Sequence, residues 1–131
     1  MLDAPLIVIS IQRQDITAMA ADKHRKNPFL RWLIEAMDGV DLVFHAAALK
    51  QVPSCEQYPL EAFKTNVLGS QNACHAARVS KVKVFVALST DKAVKPVNAM
   101  GLSKAMMEKL VCSQNMQDRK GTVFCCVRYG N

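Results

Sequence analysis

The sequence predicts an α/β fold built on a parallel sheet, and three observations predict it. Short apolar runs rich in β-branched residues, at 6–11, 41–45, 82–88 and 122–128, alternate with segments of helical pattern. The run at 82–88 is nearly continuous in apolar residues, as expected of a strand covered on both faces. Two of the runs lead straight into small or polar clusters, Ala46-Ala47-Ala48 and Ser89-Thr90-Asp91-Lys92. In open α/β sheets ligands bind beyond the carboxyl ends of the strands, so these clusters stand where chemistry is expected.

In chain order, residues 6–11 form a first strand that ends in Gln12 and Arg13. Asp15 has the right side chain to cap a helical turn over 16–21. Asn27-Pro28 signals a turn or helix start, with Phe29, Leu30, Trp32 and Leu33 supplying an apolar face and Asp38-Gly39 ending the segment. The strand at 41–45 follows. Pro59 opens a long helix over 60–79 that carries Ala62, Phe63, Val67, Ala73, Ala76 and Ala77. Asn66 sits in its middle, where its helix propensity is poor. A buried structural amide and a site residue are both open readings of it. After Pro96 the pattern turns helical over 100–116, with Leu102, Met106, Leu110 and Val111 at helical spacing. Met100 and Lys104 lie four apart, one above the other on one face, able to meet the same ligand. Gly121 breaks the chain before the last strand, and the alternation implies right-handed crossovers.

With 131 residues, 50% apolar and 21% charged, the chain fits one modest domain with a real core. No apolar run approaches the roughly 20 residues that span a bilayer, and no signal-peptide pattern opens the chain, so a soluble, cytoplasmic protein is expected. The five cysteines are odd in number, lack metal-type spacing and read as reduced, mostly buried residues. His45 and His75 have no partner pattern for a metal either. The net charge of +6 is scattered, and the densest basic cluster, His24-Arg25-Lys26, lacks interleaved aromatics, so nucleic acid is not the expected partner.

The strand ending in Ser89-Thr90-Asp91-Lys92 and the following Met100-Gly101-Leu102-Ser103-Lys104 resemble the extended short-chain dehydrogenase/reductases. His45 to Pro53, Glu56 to Pro59, Thr65-Asn66-Val67 with Gly69, Ser89 to Ala93 and Arg128-Tyr129-Gly130-Asn131 narrow the resemblance. Together they look like the nucleotide-sugar 4,6-dehydratases of bacterial polysaccharide biosynthesis, over residues 35 to 131. The resemblance implies a Rossmann-like, NAD-binding (or NADP-binding) domain over 1–131, with 1–34 divergent, a nucleotide-sugar substrate and a homo-oligomeric parent.

It also implies roles. Asp15 would bond the adenine; Ala46, Ala47 and Ala48 would let ribose and nicotinamide approach the backbone. Lys50, Asn66, Ser89 and Lys104 would complete the cofactor site, and Lys50, Thr90, Met100 and Asn131 the substrate site. In such enzymes NAD takes hydride from C4 of the hexose, water leaves from C6 across C5, and hydride returns to C6. Thr90 would bond the C4 oxygen, Asp91 would be the acid and Lys92 the base, and Lys104 would bond the nicotinamide ribose and favour loss of the C4 hydroxyl proton. Burial is expected to raise the pKa of this acid and lower that of the base.

Two departures stand out. The five glycines are far apart, so the Gly-X-Gly-X-X-Gly turn that cradles a pyrophosphate is missing, and the chain reads as the central part of a larger enzyme, truncated at both ends. Met100 occupies the place of the usual Tyr in Tyr-X-X-X-Lys, and a thioether moves no proton. A subgroup of larger dehydratases with Met there, a catalytically dead relative, and a mismatch of the motif at this position are the three readings of Met100; an epimerase or reductase of the same fold, or a catalytically silent interaction domain, stands as the alternative to a dehydratase.

Overall fold

The computed structural model describes the backbone of residues 6–9 together with residues 27–117 and 119–130. Asp15 and Asn131 lie outside the described residues, as does the expected turn at 16–21. Among the described residues four strands, β1 (Leu6–Ile9), β2 (Leu42–His45), β3 (Val84–Thr90) and β4 (Val123–Tyr129), form one sheet in the order β1-β2-β3-β4. All three pairings are parallel, with Val43 opposite Phe85 and Phe85 opposite Phe124. The α/β, Rossmann-like expectation is met.

The helices follow from local chemistry. In α1 (Pro28–Ala36), the Asn27 carboxamide oxygen accepts from the Phe29 and Leu30 amides, and Gly39 takes φ +70° just past the end, where a side chain would be strained. A short α2 (Val52–Gln57), not anticipated from the sequence, folds the segment after β2 into a compact turn. The long helix predicted over 60–79 is α3 (Pro59–Phe63), a π-helical stretch Lys64–Gly69, and α4 (Ser70–Val79). The wider stretch has no signature in apolar spacing, yet it places Asn66 and Ser70 where the site needs them. A 3-10 turn (Asp91–Ala93) follows β3, and α5 (Ala99–Gln117) precedes β4.

The main core fills one face of the sheet. Val43, Phe85, Ala87 and Phe124 pack against Leu33 and Met37 of the α1 segment, Ala73, Ala76 and Ala77 of α4, and Met107 and Val111 of α5. The alanines let α4 lie close to the strands, and Phe85 stacks its ring 5.5 Å from Phe124 and 5.6 Å from His45. A second cluster of Cys55, Ala62 and Met100 holds α2 and α3 against the start of α5.

Between the two clusters lies a buried polar layer. His45 Nε2 sits 2.9 Å from Ser70 Oγ, and Ser70 itself donates to the Asn66 carbonyl at 2.8 Å. The serine proton is thereby committed, so His45 donates through Nε2 and its Nδ1 lone pair has no partner among the described residues. Burial, reinforced by the charge of Lys104, lowers the His45 pKa to about 3. The folded chain therefore keeps His45 neutral while the unfolded chain protonates it below about 6.5. Stability is expected to be level above pH 6.5 and to fall by about 2 kcal/mol between pH 6.5 and 5. Urea unfolding across that window tests it, and His45→Asn should flatten the slope.

Candidate functional site

A cleft of about 580 Å³ opens at the carboxyl ends of β2 and β3. Its walls are Ala46, Ala48 and Lys50 after β2, Leu88, Ser89, Thr90 and Lys92 at the end of β3, Met100 and Lys104 on α5, and Tyr129 at the end of β4. The volume is in the range that holds a small-molecule ligand.

Lys104 is the buried charged group of this lining. It is 6% exposed, and its Nζ donates to the Leu88 carbonyl at 2.7 Å, one of three donors an ammonium carries. Burial lowers its pKa to about 8, against the opposing pull of nearby Cys126 and Glu108. Met100, one turn earlier and 4% exposed, presents a thioether to the same cleft. The strand-end loop is tied closely to this helix. Asn98 caps α5 by accepting from the Gly101 amide at 2.8 Å, while a Glu56 carboxylate oxygen accepts from the Ala99 amide. A Cβ on Gly101 would stand 2.6 Å from the Lys92 carbonyl oxygen, so only glycine fits there.

Asp91 and Lys92 follow β3. The Thr90 hydroxyl donates to Asp91 Oδ1 at 2.9 Å, and Lys92 Nζ lies 3.5 Å from the same oxygen. Asp91 is exposed and does not line the cleft; the α-carbon region of Gly130 lies against its carboxylate. The expected rise in its pKa is not met. The Thr90 hydrogen bond, with help from the Lys92 charge, holds the carboxyl below the usual range, because the group stays in water. Lys92 is exposed as well.

Asn66 holds the far wall. Its side chain bonds both backbone groups of Leu49, accepting from N–H at 2.8 Å and donating to C=O at 2.9 Å, and donates again to Ser103 Oγ at 2.9 Å. One amide thus fastens the loop of Ala46, Ala48 and Lys50 to α5. Ala47 is buried behind that loop rather than in the cleft wall.

A model of the polysaccharide biosynthesis protein family matches residues 11–131. The chain belongs to that family. Over 98 residues it is 62% identical to the UDP-glucose 4-epimerase of Rickettsia bellii (strain RML369-C) and 63% identical to that of Rickettsia felis, in each case covering 74% of this chain and 29% of the relative. The chain thus spans under a third of the length of these relatives. Among solved structures, Pen from Bacillus thuringiensis superposes with a TM-score of 0.75 at 40% identity, over 78% of this chain and 32% of that one. The UDP-Glc/GlcNAc 4-epimerase of Campylobacter jejuni superposes with a TM-score of 0.72 at 20% identity, over 95% of this chain and 45% of that one, a likeness of fold. The architecture is that of the extended short-chain dehydrogenase/reductases.

The structure therefore brings Ala46, Ala48, Lys50, Ser89, Thr90, Lys92, Met100 and Lys104 together, leaves Asp91 at the mouth, and puts Ala47 and Asn66 in support. Sequence reasoning missed Glu108. It lies one helical turn beyond Lys104, and the i, i+4 spacing of a carboxylate from a site lysine was the available signal. Tyr129 was quoted within a motif but given no role in the cleft. The cysteines are all free thiols; Cys55 and Cys74 are buried, Cys112 is exposed, and burial pushes Cys126 up to about 12. Among the described residues no group of three or more His, Cys, Asp or Glu could hold a metal, and no helix is long and apolar enough to cross a membrane.

Two substitutions test this geometry. Asn66→Ala strands both backbone groups of Leu49 and is expected to cost about 2–4 kcal/mol in denaturant unfolding. Gly101→Ala forces α5 and the Lys92 loop apart and is expected to cost about 1–3 kcal/mol by the same measurement.

Proposed function

We propose that this chain is the sugar-facing central part of an NAD-dependent nucleotide-sugar 4,6-dehydratase. One observation carries the reading: Thr90, Lys92, Met100 and Lys104 converge on one cleft at the carboxyl edge of a parallel sheet, with Asp91 beside them. The residues present fit the nicotinamide-ribose half of the cofactor. Ala46 and Ala48 leave the cleft wall low, and the buried Lys104 ammonium has two donors beyond the one given to Leu88, suited to a ribose diol. Solved structures of similar fold are described as NAD complexes, which supports the choice of cofactor.

NAD would supply the hydride acceptor for sugar C4. Around it the chain's own groups have distinct tasks. Lys104 lends positive charge where the C4 hydroxyl must lose its proton, and Thr90 stands beside it to bond the C4 oxygen. Lys92 is the base for the C5 proton. Asp91 is an anion in water, so it acts as the acid at C6 only where a bound sugar desolvates it and raises its pKa. Met100 contributes shape and no proton.

A second reading, a nucleotide-sugar 4-epimerase, is favoured by the names of the Rickettsia relatives. It uses the same C4 chemistry without elimination across C5 and C6. Incubating this chain, and a full-length family member carrying the same residues, with UDP-N-acetylglucosamine separates the two. A 4-keto-6-deoxy product is expected; a C4 epimer with no ketone would establish the second reading instead. In the active protein, Lys92→Ala and Asp91→Asn should lower turnover by about 10²–10⁴-fold with little change in substrate affinity. A matching loss of affinity with unchanged turnover would remove both residues from the chemistry.

A further inference from the structure

Glu108 is buried on α5 and belongs to no motif that points to it, yet it joins three elements of the site. Its Oε1 accepts from the Ser89 hydroxyl at the end of β3. The Arg128 guanidinium of β4 clamps it at both oxygens, Nε to Oε1 at 2.9 Å and Nη2 to Oε2 at 2.6 Å. One turn back on the same helix lies Lys104. We propose that Glu108 is the positioning residue of the cleft, fixing the Ser89 hydroxyl as a hydrogen-bond acceptor toward the ligand and anchoring the strand end that carries Tyr129.

A serine hydroxyl has one hydrogen and two lone pairs. Its hydrogen is given to Glu108, so Ser89, which belongs to the cleft lining and is 1% exposed, has lone pairs alone to offer a ligand that reaches it. The group it receives must therefore be a donor, such as a sugar hydroxyl or a carboxamide NH₂, and an anionic or acceptor-only group is turned away. Glu108 is suited to hold this arrangement because it stays ionised: the Arg128 clamp keeps its carboxyl below the usual range despite burial. The same charge supports the cationic form of Lys104 in the cleft lining. On the other side, the clamp ties β4 to α5, and Tyr129, the residue after Arg128, stands in the cleft wall.

The decisive measurements are made on the intact chain without ligand, so they do not depend on the activity proposed above; only the enzymatic consequence rests on that reading. Glu108→Gln keeps the shape and removes the charge. By NMR of lysine-labelled protein, the Lys104 midpoint is expected to drop below about 8, whereas Arg128→Lys, which leaves the Glu108 charge in place, should move it much less. The Ser89 hydroxyl proton is expected to exchange slowly in the unmutated chain and faster in Glu108→Gln, whose neutral amide oxygen is the weaker acceptor. A purely structural Glu108 would lower stability and leave the Lys104 midpoint where it was; that result overturns the proposal. So does a Ser89 hydroxyl proton that exchanges freely in the unmutated chain, a measurement that stands even if Glu108→Gln fails to fold. In a family member active on UDP-N-acetylglucosamine, Glu108→Gln should lower turnover and move the alkaline limb of its pH profile by the same interval as the ligand-free midpoint. Loss of the assigned activity with the ligand-free results intact would count against the function alone.

Discussion

The site depends on one buried interaction, the Lys104 ammonium against the Leu88 carbonyl. A carbonyl at the end of a parallel strand has an oxygen that the ladder leaves available, and a helix crossing that strand end can reach it with a lysine. The hydrogen bond fixes where the positive charge sits, and burial makes that charge costly. Nearly every polar contact around it can be read as compensation or support. Glu108 lies a turn away with its own cation, Asn66 and Ser103 pin the helix, and His45 stays neutral beside it.

This explains why the interior is divided. An apolar core under the sheet would by itself favour a helix packed wholly with carbon, and the second cluster around Cys55, Ala62 and Met100 would as well. The polar layer between them is nearly complete in its hydrogen bonds, which is the condition under which such a layer fixes a single arrangement instead of loosening the fold. The orphan Nδ1 of His45 is an exception within it. The π-helical stretch belongs to the same layer, since it turns Asn66 toward Leu49 while Ser70 reaches back to His45.

Much of this was legible beforehand. The strands announced themselves because a strand covered on both faces needs a continuous apolar run, and Val84 to Leu88 meets that need without ambiguity. Lys104 and Met100 were placed on one face by helical period alone, and both line the cleft. What escaped was set by contacts distant in the chain. Asp91 stays in water because Thr90 bonds its carboxylate and the end of β4 occupies the adjacent space, and no local pattern encodes that. Glu108 showed in the sequence only its spacing from Lys104, because its partners come from β3 and β4, 19 to 20 residues away on either side. The π-helical stretch leaves no trace in apolar spacing, and α2 went unanticipated because six residues are too few for a helical period to emerge.

The bare contact between Gly101 and the Lys92 carbonyl has a consequence for anyone who would redesign this scaffold. With no side chain between them to absorb a shift, the loop after β3 and the first turn of α5 behave as one mechanical part. Grafting a foreign loop to alter what the cleft accepts would therefore succeed only as a cassette running from Thr90 through Lys104, transplanted whole.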